Sequence, residues 1–111
     1  MARKQLETLT EQMFYILLSL YRPRHGYAIM QHVLELTEGR VRIGAGTLYT
    51  LISRFVEEGY IVCVDESDQR KEYHITDAGK ELFLRECNRL ELQLRDAEAA
   101  LRACANEGET P

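Results

Sequence analysis

The sequence predicts a mainly α-helical α+β domain with a small β-hairpin and one long terminal helix. Three observations carry this expectation. Residues 46–58 hold an apolar stripe at helical spacing and run into a glycine. Residues 60–75 read as two short strands around a polar turn. Residues 77–104 keep an apolar repeat in alternating steps of four and three.

The bulk properties set the frame. A chain of 111 residues, 45% apolar and 29% charged, is enough for one domain with one core and is not a disordered composition. No apolar run approaches the ~20 residues that span a bilayer. The start, Met1-Ala2-Arg3-Lys4-Gln5-Leu6-Glu7, lacks the apolar region of a signal peptide, so a cytoplasmic protein without a membrane partner is expected.

The net charge of −4 argues against indiscriminate coating of nucleic acid, but local charge, not the total, sets the field at a contact. Residues 1–75 carry nine Lys/Arg and ten Asp/Glu, and residues 76–111 carry five and eight, so acidity is weighted to the C-terminal part. Cys63, Cys87 and Cys104 are odd in number and form no metal-binding spacing with His25, His32 or His74. They read as small apolar fillers in a reducing compartment, with an intersubunit redox role for Cys87 or Cys104 as the alternative. No nucleophile grouping, phosphate loop or metal spacing points to an enzyme, and no cofactor is called for.

Taken in order, Thr8-Leu9-Thr10-Glu11 offers a T-x-x-E capping box for a first helix running through Met13 to Tyr21. That helix is apolar on most sides, so it needs two partners: its own core and a second subunit. Arg22-Pro23-Arg24 ends it. His25-Gly26-Tyr27 opens a second helix with Ala28, Ile29, Val33 and Leu36 inward, stopped by Thr37-Glu38-Gly39. Arg40-Val41-Arg42-Ile43 alternates polar and apolar, as a brief edge strand would.

Gly44-Ala45-Gly46 then turns into the central helix. Leu48, Leu51, Ile52 and Phe55 lie on its inner face, and Thr47, Tyr49, Thr50, Ser53 and Arg54 on its outer face. Only Arg54 of the outer set is charged. Gly59 is a natural C-terminal stop. A helix with an apolar back and a neutral-to-basic, hydrogen-bonding front suits a DNA major groove, though the same pattern also describes an ordinary amphipathic helix.

Residues 60–64 and 71–75 make the hairpin, with Tyr73 and Ile75 on one face and Glu72 and His74 on the other. Gln69, Arg70 and Lys71 fall near its tip or return edge, where Arg70 and Lys71 reach a phosphate or a minor groove. Thr76-Asp77 caps the last helix. Its seam is Phe83, Cys87, Leu90, Leu94, Ala97, Leu101 and Cys104, widened by Leu82, Leu84 and Leu92, and its length is about 40 Å at ~1.5 Å per residue. That is longer than so small a domain can cover, so the seam predicts a homodimer; the alternative is one helix lying across its own domain.

Helix, helix, short strand, helix, hairpin and long helix is the order of a winged helix-turn-helix with an appended dimerisation helix. The expected division is residues 1–76 for the DNA-binding domain, 77–105 for the dimerisation helix and 106–111 for a polar, disordered tail.

Several stretches together resemble the PadR family of transcriptional regulators, in its short form. They are Phe14-Tyr15-Ile16-Leu17, His25-Gly26-Tyr27-Ala28-Ile29, Gly46-Thr47-Leu48-Tyr49-Thr50-Leu51-Ile52-Ser53-Arg54-Phe55 with Glu58-Gly59-Tyr60-Ile61, and Arg70-Lys71-Glu72-Tyr73-His74-Ile75-Thr76-Asp77-Ala78-Gly79. The resemblance covers about residues 6–95. It implies a homodimeric repressor, with first and last helices building the dimer and two recognition helices reading double-stranded DNA about 34–36 Å apart on a pseudo-palindromic site.

The DNA-contacting residues it implies are Tyr27, Thr47, Tyr49, Thr50, Ser53, Arg54, Arg70 and Lys71. Tyr27 is the phosphate contact at the second helix, with a core ring as the structural alternative. Arg54 is a guanine or phosphate contact, with pairing to Glu57 or Glu58 as the alternative. Arg3 and Lys4 read as a solvated terminus. The dimerisation set is Phe14, Phe83, Cys87, Leu90, Leu94, Ala97 and Leu101.

Multidrug-sensing members of the family stack flat aromatic ligands on a tryptophan at the dimer interface. This chain has no Trp, which leaves only Phe14, Tyr15, Phe83 and the Leu90/Leu94 seam to line a site for a small apolar or aromatic effector. A winged-helix module that contacts proteins instead of DNA is the remaining alternative.

Overall fold

The computed structural model describes residues 8–65 and 70–108. The elements are α1 (Glu11–Ser19), β1 (Arg24–His25), α2 (Gly26–Leu36), α3 (Ala45–Glu58), β2 (Ile61–Asp65), β3 (Glu72–Ile75) and α4 (Asp77–Asn106). The first three helices, the start of α4 and an antiparallel sheet in the order β1-β3-β2 enclose one core, to which α4 contributes Leu82 and Phe83 before it runs on beyond it. This is a winged helix fold.

Helix ends follow local chemistry. The Thr10 hydroxyl accepts from the Met13 amide at 3.2 Å, so the cap of α1 is Thr10 and not the Thr8 of the expected capping box. The helix also closes at Ser19, two residues short of the expected Tyr21. Gly59 takes φ 83°, with Tyr60 N–H bonded to Phe55 O at 2.9 Å and Gly59 N–H to Val56 O at 3.1 Å, the paired bonds of a Schellman stop. The end of α2 repeats that pattern with Glu38 at φ 53° followed by Gly39 at 79°. The Thr76 hydroxyl accepts from the Gly79 amide at 3.1 Å and starts α4 as expected.

Helix α3 buries Leu48, Ile52 and Phe55 fully and Leu51 in part. Each fully buried side chain contributes about 1.5–3 kcal/mol. Together they outweigh the roughly 1 kcal/mol that Gly46 costs inside a helix. In α2, Ile29 and Val33 face the core, but Leu36 does not: it is exposed, and the polar Thr37 is buried in its place. The Thr37 hydroxyl donates to Val33 O at 2.8 Å and accepts from the Val41 amide at 3.0 Å, which satisfies it there.

Residues 40–43 form no strand. Val41 and Ile43 are buried and Arg40 and Arg42 exposed, so the alternation reported burial without a ladder. The ladder position beside β3 belongs to β1 instead, in the register Arg24↔Tyr73 and His25↔Glu72. Arg24 is held there because its Nε donates to the Ser19 carbonyl at 2.8 Å. The 40–43 link is fixed by Arg40, whose guanidinium reaches Glu11 at 3.0 Å and the Tyr15 hydroxyl at 2.9 Å.

In the hairpin, Tyr73 and Ile75 share one face as expected, and that face is the buried one; the register shifts between Cys63 and Asp65 of β2. The hairpin tip, the segment with Arg3 and Lys4, and the last three residues of the expected tail lie outside the described residues; α4 itself reaches Asn106, capped by Glu107.

Candidate nucleic-acid interface

The α2 N-terminus, the outer face of α3 and the return strand of the wing meet in one cleft. His25 caps α2 through Nδ1, which accepts from the Ala28 amide at 3.4 Å. Gly26 follows it and is buried, because the Tyr49 ring of α3 lies directly on it. Tyr27 is 63% exposed and points outward, so it is not a core ring. Arg70 and Lys71, both exposed, lead into β3 on the far side. These residues and Tyr73 line a cleft of about 460 Å³. A second hollow of about 370 Å³ shares Lys71 and Tyr73 and continues along α3 past Ile52, Ser53 and Val56 to Cys63 on β2.

Tyr27, Tyr49, Arg70 and Lys71 are therefore brought together, and Ser53 lies next door. Thr47 and Thr50 are exposed on α3 but outside both hollows; the Thr50 hydroxyl donates to Gly46 O at 3.0 Å, which leaves its lone pairs outward. Arg54 is half-buried, and its Nε is buried without a hydrogen-bond partner among the described residues. Sequence reasoning missed His25, Gly26 and Tyr73 as parts of this cleft. The signal for Gly26 lay in a helix beginning with glycine; Tyr73 carried none, because its alternation marked it only as core.

The cleft is chemically a seat for an anion. Peptide N–H groups at the start of α2, three phenols and two cations converge, and no group of three or more potential metal-ligating side chains exists among the described residues. Burial pushes the Tyr73 hydroxyl's pKa up, with Cys63 and then Tyr49 adding to the shift, so it stays a neutral donor.

Where α1 meets α4 the contacts are apolar. Phe83 is buried in its own chain, with ring centroids 4.6 Å from Phe14 and 5.6 Å from Tyr21. Cys87 is half-buried, and burial followed by the charge of Glu86 raises its thiol pKa. Beyond it the seam emerges: Leu90 is 42%, Leu94 59% and Leu101 52% exposed; Ala97 is exposed and Cys104 half-buried. Leu9, Phe14, Tyr15 and Leu90 border a hollow of about 220 Å³.

A helix presented beside a small antiparallel wing defines the winged helix-turn-helix class. Within that class the chain belongs to the PadR-like family of transcriptional regulators, whose pattern residues 15–85 match.

Solved structures with the same fold include a transcriptional regulator from Clostridium thermocellum, 24% identical with a TM-score of 0.68, covering 80% of this chain and 90% of that one. A PadR family regulator from Eggerthella lenta is 28% identical, with a TM-score of 0.63 and coverage of 80% and 79%. A PadR family regulator from Clostridium difficile is 20% identical, with a TM-score of 0.68 and coverage of 83% and 99%. No curated protein matches the chain significantly. Among the described residues no helix is long and apolar enough to cross a membrane.

Proposed function

We propose that the chain is a repressor that binds a pseudo-palindromic operator as a homodimer. The observation that carries the DNA contact is the shared cleft of Tyr27, Tyr49, Arg70 and Lys71, which joins the α2 N-terminus, α3 and wing in one anion seat. In this reading α3 enters the major groove with Thr47, Thr50, Ser53 and Arg54 toward the bases, while the cleft holds the flanking backbone. Arg54, the one charged side chain of the outer face of α3, supplies the bidentate contact through its terminal guanidinium nitrogens. The protein then works in the compartment that holds the chromosome, the cytoplasm.

The exposed leucines of α4 support the dimer. Leu90, Leu94 and Leu101 on an otherwise polar helix need a cover, and a second copy presents the same seam. An effector bound at this interface needs walls from both protomers, because about 220 Å³ in one chain is below the ~300 Å³ of ordinary ligand pockets.

Fluorescence anisotropy tests the reading, using the DNA upstream of the chain's own gene against scrambled DNA across salt. Arg70 and Lys71 from each protomer, the phosphate contacts of this reading, predict a slope of log K against log salt of roughly −4, at about −0.9 per neutralised phosphate. Arg54→Ala should weaken binding and leave the dimer intact in sedimentation. Unchanged affinity removes Arg54 from the contact. Absence of binding to any DNA at low salt replaces the repressor with a protein-contacting module.

A further inference from the structure

Tyr73 has two environments at once. It sits on the central strand, paired with Arg24 of β1 on one side and Cys63 of β2 on the other, and is only 9% exposed. Its ring belongs to the core, yet it lines both hollows of the DNA-facing side. A buried tyrosine ordinarily finds a hydrogen-bond partner for its hydroxyl within the protein. Among the described residues the Tyr73 hydroxyl has none. Apolar phenylalanine would satisfy the core equally well and would leave no polar atom to accommodate.

We propose that the Tyr73 hydroxyl is a direct contact to the DNA backbone, donating its proton to a phosphate oxygen seated between the α2 N-terminus and Lys71. The proposal rests on the DNA-binding reading above and adds to it a residue that charge and position in the sequence do not mark.

Three features favour a phosphate over a base edge. Tyr73 lines the same cleft as Gly26 and Tyr27, the first two residues of α2, and Lys71, and helix N-termini of this kind favour negative oxygens. The central strand of the sheet fixes Tyr73 on both sides, so its donor is placed in advance, whereas Arg70 and Lys71 contribute charge from mobile side chains. Burial keeps the phenol protonated, so it donates without adding a cation. A chain of net charge −4 gains a backbone contact in this way without further lysine.

The test compares Tyr73→Phe with Lys71→Ala on two probes: a random-sequence duplex of about three helical turns at low salt, and the upstream DNA. Among the described residues the hydroxyl has no partner, so Tyr73→Phe should leave the thermal midpoint unchanged. It should weaken both probes by the same factor, about tenfold for a bond to a charged oxygen. The salt slope should stay at the wild-type value, whereas Lys71→Ala should make it shallower. Scanning the duplex with neutral methylphosphonate linkages gives a second readout, since one linkage per half-site should abolish the difference between wild type and Tyr73→Phe.

Wild-type affinity in Tyr73→Phe, with Lys71→Ala still weakened, overturns the proposal and leaves the DNA-binding reading standing. A lowered thermal midpoint together with weaker binding also overturns it, because the hydroxyl is then structural. Failure of the wild type to bind either probe removes the DNA-binding reading itself.

Discussion

The phenol of Tyr49 on α3 lies on Gly26, the first residue of α2, and joins the two helices in the cleft. A Cβ at position 26 would stand 2.8 Å from Tyr49 Cζ. Only the far end of a side chain that is 49% exposed has to move, so the core need not adjust. Gly26→Ala should therefore keep or slightly raise stability, since alanine is the better helix former by up to about 1 kcal/mol. Binding should suffer instead. Displacing Tyr49 from the cleft should raise the dissociation constant for DNA about tenfold, measured by anisotropy beside a melting curve.

Gly79 presents the opposite case. It lies in the first turn of α4, where a Cβ would meet the Tyr60 carbonyl oxygen and would stand 2.7 Å from Ile75 Cγ1. The carbonyl is backbone and already accepts from the Thr76 amide at 3.0 Å, so it cannot retreat without breaking the joint between wing and helix. Gly79→Ala should cost about 1–3 kcal/mol. For a domain of this size that lowers the melting midpoint by about 4–8 °C per kcal/mol. A wild-type midpoint would show that α4 shifts freely on the wing.

Much of this architecture was legible because its signals are local. The Gly59 stop, the Thr76 cap and the inward Tyr73 and Ile75 each depend on residues within one turn or one strand. What escaped depends on partners distant in sequence. Arg24–His25 is too short to show a period and becomes a strand only because β3 offers an edge. Residues 40–43 have the alternation of a strand but no neighbour to pair with, since Thr37 and Arg40 tie them to helices. In the cleft, Tyr27, Tyr49, Arg70 and Lys71 were readable as polar residues on outward positions. Tyr73 was not, because an inward position in a strand conceals where the end of a long ring emerges.

Glu86 gives a pH dependence. It is 2% exposed, accepts from Arg89 Nε at 2.7 Å and Nη2 at 3.0 Å, and accepts from the Leu9 amide at 2.9 Å. The Arg89 hydrogen bonds hold its carboxyl below the usual value, against the opposing effect of burial, with the Leu9 amide helping. A folded value below the unfolded one, about 4.3, means this contribution is complete above that pH and is lost as pH falls through the folded value. Thermal midpoints recorded from neutral pH downward should fall on the acid side. Glu86→Gln should lose about 1–3 kcal/mol at neutral pH and flatten the acid limb. An acid limb of wild-type steepness in the variant would assign it to other carboxylates.

Leu94 tests the proposed dimer without disturbing the winged domain. It is 59% exposed in the single chain, well past Phe83, where the apolar face of α4 is still covered by Phe14 and Tyr21. A charge placed there costs little in a lone protomer, because water reaches it. At the centre of a two-helix seam the same carboxylate is desolvated and faces its own copy, which costs several kcal/mol. Leu94→Asp should therefore shift the sedimentation profile from dimer to monomer. The near-ultraviolet signal of the Phe14–Phe83–Tyr21 cluster, which lies within one protomer, should persist. DNA affinity should fall by far more than any single cleft substitution produces, because two half-sites no longer bind as one unit and their effective concentration for each other is lost. A variant that remains dimeric would move the subunit contact away from Leu94, and the exposed leucines of α4 would then need another cover.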